Sequence, residues 1–311
     1  MNPPDAAELQ CANTVLMIRP VCFGANPETA ASNRFQQAGA DADTARIAQR
    51  EFDGLARALG DAGIEVQVVE DTPDPPKPDA CFPNNWVSFH ADGTVVLYPM
   101  MAPSRRAERR EEPLTALRAA GFRIARTVDL SGWEAHGEFL EGTGSLVLDR
   151  CHRTAYACRS PRTTAAALAD FAVRLQYRVI AFDATGLSGE PAYHTNVLMA
   201  IGEDFAVICA EAVTDDGERE QLLSELALAG HEPVAISRAE MHGFAGNLLA
   251  LRARDGNQVI AMSDAAWQSI APGSRRMLER RGSIVTAPIP TIERLGGGSV
   301  RCMIAEVFLP R

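Results

Sequence analysis

Three residues able to share one reaction lie far apart in this chain: Cys302, His194 and Glu141. Cys302 ends the run Gly296-Gly297-Gly298-Ser299-Val300-Arg301-Cys302 and precedes an apolar stretch, Met303 to Leu309, that reads as a strand. His194 stands in Tyr193-His194-Thr195-Asn196, and Glu141 in Gly137-Glu138-Phe139-Leu140-Glu141-Gly142-Thr143-Gly144. A thiolate to attack, an imidazole to move protons and a carboxylate to orient them are the parts of a nucleophilic hydrolase. Taken singly, each has an ordinary explanation as a buried thiol, a hydrogen-bonded histidine or a loop charge. Their shared context sets them apart, because each sits beside a glycine-rich or polar turn that feeds a hydrophobic run.

The elements that must position them repeat. Asn85 to Phe89 reads as a strand, with a turn at Ala91-Asp92-Gly93-Thr94, a second strand at Val95 to Tyr98 and a helix from Arg105 to Ala120. The next units run Gly144 to Leu148, Thr154 to Ala157 and a helix over Arg162 to Leu175, then Asn196 to Ile201, Phe205 to Cys209 and a helix over Glu218 to Ala229. A fourth has Asn247 to Arg252, Gln258 to Met262 and a helix over Ser274 to Arg281. Short strands at Val66 to Val69, Arg178 to Phe182 and Ser283 to Thr286 fall between units, and Thr14 to Ile18 with Met303 to Leu309 supplies a fifth from both chain ends. The spacing of roughly fifty residues is that of a repeat architecture. Five such units close into a ring with their turns converging on the axis. The alternative is an open α/β sheet, but no Walker loop or GxGxxG fingerprint supports its nucleotide-binding forms. The expected organisation is a single domain over residues 12–311 with an N-terminal extension over 1–11.

Composition narrows the partners. The net charge of −10 argues against nucleic acid and anionic membranes. No apolar run reaches the length of a membrane span, and Met1 to Gln10 lacks a signal core. Seven cysteines, none in a CxxC pair, fit a reduced cytoplasmic compartment. No spacing of His, Asp and Glu implies a metal site; His90, His136, His152 and His231 stand singly, and His242 reads as structural. The stretch Arg105 to Glu112 reads as a solvated helix face, and Pro73, Pro75, Pro76 and Pro78 as a stiff loop.

Four segments, Phe82-Pro83-Asn84-Asn85, Phe139-Leu140-Glu141-Gly142, His194-Thr195-Asn196 and Gly297-Gly298-Ser299-Val300-Arg301-Cys302, resemble the guanidine-modifying superfamily and occur in its order. That superfamily holds arginine deiminases, dimethylarginine dimethylaminohydrolases and amidinotransferases, and the resemblance implies its fold, a five-bladed α/β propeller (the pentein fold) with a pseudo-fivefold repeat. Phe23 to Thr29 and Phe82 to Phe89 are similar to its citrulline-utilisation hydrolase branch. The resemblance makes Cys302 the nucleophile, His194 the general acid/base and Glu141 the orienting carboxylate. It requires neither metal nor organic cofactor. Arg301 and the glycine-rich backbone are candidate supports for the thiolate.

The departures bear on the substrate. In typical deiminases the positions matching Asn85 and Asn196 are aspartates that pair with a guanidinium by charge-assisted hydrogen bonds. An amide both donates and accepts, which suits a neutral ureido group. Loss of two charged partners weakens guanidinium binding by an amount on the order of 1.5–3 kcal/mol per bond. Gly142-Thr143-Gly144 also replaces a Gly-Gly-Asp pattern. Arg159-Ser160-Pro161-Arg162-Thr163 resembles the family's Ser-x-Arg-Thr element, so Arg162, then Arg159, is the expected clamp for a substrate α-carboxylate. Asn84, Asn26, Asn33 and Asn247 are further candidate pocket residues.

The expected activity is a cysteine hydrolase of carbon–nitrogen bonds acting on a small amino acid, L-citrulline plus water giving L-ornithine, carbon dioxide and ammonia. Alternatives are an arginine or N-acylarginine dihydrolase or deiminase, an amidinotransferase, and, from another class, a non-catalytic binding propeller. A homo-oligomer is allowed by the sequence.

Overall fold

The computed structural model describes residues 8–37, 39 and 43–311. They form five three-stranded sheets, each an antiparallel pair whose middle strand also pairs in parallel with a third strand. In the second blade Val87–Phe89 pairs antiparallel with Thr94–Leu97, which runs parallel to Arg126–Asp129. The third blade repeats this with Leu146–Asp149, Thr154–Cys158 and Arg178–Phe182, and the fourth with Met199–Ile201, Phe205–Ile208 and Glu232–Ala235. The fifth uses Leu249–Arg252, Gln258–Ser263 and Ser283–Ala287. The first blade joins the chain ends, with Ala305–Glu306 beside Thr14–Arg19 and Val15 facing Glu306, while Thr14–Arg19 also pairs with Glu65–Glu70. This is the five-bladed α/β propeller, and the open-sheet alternative is excluded.

Residue choice follows position in the blade. Inner strands are almost wholly buried, as in Leu146–Asp149, and outer strands are more exposed, as in Arg126–Asp129, where Val128 alone is buried. The parallel third strand needs a crossover, which an amphipathic helix supplies. Thr44–Asp61 turns Ala48, Phe52, Leu55 and Leu59 inward at helical spacing. Phe52, Leu55 and Leu59 each stabilise the blade by about 1.5–3 kcal/mol. Ala165–Leu175 does the same with Ala167, Leu168, Phe171 and Leu175.

Three local expectations differ from the structure. The helix expected over Arg105 to Ala120 is two helices, Pro103–Arg106 and Glu112–Ala119, because Pro103 and Pro113 each suit only a first turn. Arg105 and Glu108, expected on a solvated face, are buried. The strand expected from Met303 shrinks to Ala305–Glu306, and Cys302 lies in a 3-10 turn, Val300–Met303. Of the expected N-terminal extension, residues 8–11 are described. Glu8 accepts from Arg150 and Gln10 brackets the Leu148–Arg150 backbone, so these residues pack into the propeller.

Candidate active site

One end of the propeller is built for chemistry by the hairpin geometry. Antiparallel pairing puts the turn entering each inner strand beside the loop leaving each middle strand. The five entry turns carry Asn84 and Asn85, Gly144, Asn196, Asn247, and Cys302. The middle-strand exits of the first three blades carry Thr29 and Asn33, Arg105, and Arg162. Thr29, Asn33, Asn85, Arg105 and Arg162 line a narrow pocket with Asp79, Tyr193, His194, the Gly296-Gly297-Gly298 loop and Cys302.

The catalytic candidates meet there. Glu141 Oε2 lies 2.9 Å from His194 Nε2, and its Oε1 accepts from the Met101 backbone N–H. Arg162 Nη1 donates to the same Oε2, and Arg105 Nη1 is 4.0 Å away. Burial alone would raise the Glu141 carboxyl, but Arg162, His194 and Arg105 outweigh it and hold the group well below the carboxylate range. Burial pushes the His194 imidazole down to about 4, against the opposite pull of Glu141. His194 is therefore neutral near pH 7, held by an ionised Glu141. The proton that His194 delivers as general acid must then come from another group during the reaction.

The sulfur of Cys302 lies 3.5 Å from Asn196 Nδ2 and 3.3 Å from Asn247 Nδ2. Arg301, a candidate support for the thiolate, points elsewhere, donating to the Ile304 carbonyl and to Glu306. The loop before the thiol needs its glycines. Gly297 has φ +66°, and a Cβ there would sit 2.7 Å from the Gln36 backbone nitrogen. Tyr193 and Asn33 both donate to the Gly297 carbonyl, which fixes the loop across the cavity mouth.

The amides divide. Asn85 Oδ1 accepts from Arg105 Nη1 at 2.7 Å, and its Nδ2 has no partner among the described residues. Gly144 permits this packing, since a Cβ there would collide with Asn85 Nδ2 and lie 2.7 Å from His194 Nδ1. Asn84 is fully buried beside the site, does not line the cavity, and has no partner for either amide atom among the described residues. Asn26 stands behind the cavity wall, where its Nδ2 donates to Asp79 Oδ2 at 2.8 Å and its Oδ1 caps the Pro27–Ala30 turn. It orders Asp79 and does not line the cavity.

Of the two expected carboxylate clamps, Arg162 is in place. It is buried over the Tyr193 ring and donates to Ser32 Oγ and the Thr29 carbonyl. Arg159 is not, because it is partly exposed and pairs with Asp183 and Glu218.

Two cavity residues escaped the sequence reading. Arg105 is fixed by Glu108 and the Phe82 carbonyl. The clue was positional, since Arg105 leaves the second blade's middle strand much as Arg162 leaves the third's. Asp79 follows the proline loop, which Lys77 ties down through the Thr72 and Pro75 carbonyls. Burial raises the Asp79 carboxyl against the pull of Arg105 and Asn26, and its Oδ1 has no partner among the described residues.

Away from the cavity, His152 and His231 do not stand singly. Both rings lie 2.9 Å from Asp149, with their polar atoms grouped within 4.8 Å. His231, from the fourth blade, is thereby tied to the third blade's hairpin. No helix of the described residues is long and apolar enough to cross a membrane.

Comparison with known proteins agrees with this geometry. The family model for N,N-dimethylarginine dimethylhydrolase, eukaryotic, matches residues 19–309. No curated protein sequence matches the chain significantly. Among solved structures, the N-terminal domain of ArgZ, an arginine dihydrolase from the ornithine–ammonia cycle in cyanobacteria, superposes with a TM-score of 0.73 at 17% identity. The match covers 96% of this chain and 99% of that domain, but 41% of the ArgZ apo structure's chain. AgrE, solved with ornithine and NAD+, gives a TM-score of 0.73 at 17% identity, covering 96% of this chain and 39% of that one. A dimethylarginine dimethylaminohydrolase variant bearing an S-methyl-L-thiocitrulline adduct gives 0.65 at 14% identity, covering 94% and 99%.

Proposed function

The chain belongs to the N,N-dimethylarginine dimethylhydrolase family, cysteine-dependent hydrolases of non-peptide carbon–nitrogen bonds, and with it to the guanidine-modifying superfamily; from that premise we propose that it hydrolyses L-citrulline to L-ornithine, carbon dioxide and ammonia. The observation that carries the substrate is the orientation of Asn85. Arg105 is a donor only, so the oxygen of the Asn85 amide must face it, and Nδ2 is left as an unused donor beside His194. A ureido oxygen, and the oxyanion it becomes, is an acceptor that this N–H complements. A guanidinium offers only N–H groups and would meet it donor to donor.

In this reading Cys302 Sγ attacks the ureido carbon and its proton passes to neutral His194. Negative charge gathers on the former carbonyl oxygen, facing Asn85 Nδ2. His194, held by Glu141, hands the proton to the ornithine nitrogen as that C–N bond breaks, leaving S-carbamoyl cysteine. Water adds to the carbamoyl carbon with His194 taking its proton, and the C–S bond breaks to release carbamic acid. Carbamic acid divides into carbon dioxide and ammonia, and the thiol is restored. Arg162, with Arg105 beside it, receives the α-carboxylate.

A second reading, arginine dihydrolysis to ornithine, is favoured by Asp79. Its unpartnered Oδ1 belongs to a cavity-lining carboxylate and can accept from a guanidinium. Product analysis separates the two, with citrulline, arginine, N-acetylarginine and dimethylarginine compared at equal concentration. The proposal expects ornithine and ammonia fastest from citrulline. Ornithine from arginine with none from citrulline would replace it with the second reading, and citrulline as the end product of arginine would make the protein a deiminase. Ornithine released from arginine only when an amine acceptor is supplied would indicate transfer.

A further inference from the structure

We infer that Asn247 is a catalytic residue of this site, the second of two amide donors that stabilise the Cys302 sulfur as it gives up its proton to His194 and becomes a thiolate; the inference rests on Cys302 being the nucleophile proposed above. Asn247 comes from the turn entering the fifth blade's inner strand and is wholly buried. Its Nδ2 lies 3.3 Å from Cys302 Sγ and 3.0 Å from the Asn196 backbone carbonyl.

The second contact fixes the first. A carbonyl oxygen only accepts, so the Asn247 group facing Asn196 must be the N–H2 and not the oxygen. With one of its two protons on that carbonyl, the other is available to the sulfur. A flipped amide would set oxygen against oxygen in a buried place. Asn196 Nδ2 reaches the same sulfur from the fourth blade at 3.5 Å. Sulfur thus faces two N–H donors, and hydrogen bonds to the charged form favour it over the neutral thiol. Arg301, the residue next in sequence and the obvious cationic support, is turned to Glu306. Two neutral amides from adjacent blades therefore do what a cation does in other thiol sites.

The main chain reinforces the arrangement. Gly246 lets the fifth blade's turn press on the fourth, since a Cβ there would lie 2.9 Å from the Leu198 carbonyl carbon. Asn247 is thereby held against Asn196, and the two donors move as one unit.

The test reads thiol reactivity without substrate: the pH dependence of Cys302 alkylation by iodoacetamide, followed on the Cys302 peptide by mass spectrometry. Wild type is compared with Asn247→Leu, which removes the donor at similar size, and Asn247→Asp, which puts a negative oxygen toward sulfur. Asn247→Ser, whose hydroxyl is too short to reach, serves if leucine does not fold. The inference expects the alkylation midpoint to rise by about one pH unit or more in the leucine or serine variant, a roughly tenfold slower reaction below it. It expects a larger rise in the aspartate variant. A role in packing alone would lower thermal stability and leave the midpoint where it is, and that result in folded variants overturns the inference. The outcome is independent of the substrate reading. Unshifted alkylation with intact citrulline turnover removes Asn247 only, whereas shifted alkylation with no turnover of any ureido or guanidino substrate removes the proposed function and leaves the thiolate cradle.

Discussion

Arg105 donates to the side-chain oxygen of Asn85 at 2.7 Å, and this single contact decides which face of the amide turns toward the cavity. Arg105 is itself locked by two hydrogen bonds to Glu108 and one to the Phe82 carbonyl. The substrate-facing donor therefore depends on a side chain that never needs to touch the reacting carbon.

Replacing Asn85 with aspartate tests that dependence. The carboxylate keeps the Arg105 contact but has no N–H to offer a ureido oxygen. Loss of one hydrogen bond to a developing charge is worth about 1.5–3 kcal/mol, so kcat/KM for citrulline should fall by about 10- to 100-fold. The ratio of arginine to citrulline turnover should rise. Equal losses on both substrates would show that Asn85 acts through packing.

Glu141→Gln keeps the volume and removes the charge that His194, Arg162 and Arg105 share. Breaking a buried ionic group of this kind typically costs about 3–5 kcal/mol. Urea unfolding should register a loss of that order, together with a kcat drop larger than the change in KM. Unaltered stability would mean that the two arginines do not rely on this carboxylate.

Gly144→Ala should abolish most activity, because its Cβ would enter the space held by Asn85 Nδ2 and His194 Nδ1. Gly132→Ala meets nothing within 4 Å and is the matched control. Side-by-side kcat values and melting temperatures check this, with the Gly132 variant expected at wild-type level in both.

Stability should also depend on pH. Buried His194 is pushed down to about 4 from 6.5, so between these values the unfolded chain binds a proton that the native chain does not. Its contribution is complete above pH 6.5 and is lost as pH falls toward 4, by up to about 3 kcal/mol. Glu141, also held low, adds loss in the same direction at more acid pH. His194→Gln should flatten the urea midpoint between pH 6.5 and 4, and an unchanged slope would contradict the burial argument.

The ring of five units was legible because hairpin, crossover helix and outer strand recur with the same hydrophobic pattern. Cys302, His194 and Glu141 stood out because their turns carry distinctive glycines and polar residues, whereas Asn85 and Arg162 were singled out by the resemblance to the guanidine-modifying superfamily. Arg105 was not, since its sequence neighbours are charged and only the break at Pro103 and Pro113 turns it inward. Asp79 was hidden by the proline loop, whose anchoring by buried Lys77 is a tertiary fact. Arg159 misled because it shares a motif with Arg162, while blade geometry sends one to the cavity and the other to Asp183 and Glu218. His152 and His231 are separated by more than one whole repeat in sequence, so nothing local joins them at Asp149.

The most direct test of the central claim is acid-quenched mass spectrometry of the enzyme during turnover of citrulline labelled at the ureido carbon. The account predicts that the label appears transiently on the peptide carrying Cys302 and is absent in Cys302→Ala, which should also make no ornithine. Ornithine release with no label on that peptide, or full turnover by Cys302→Ala, would contradict it.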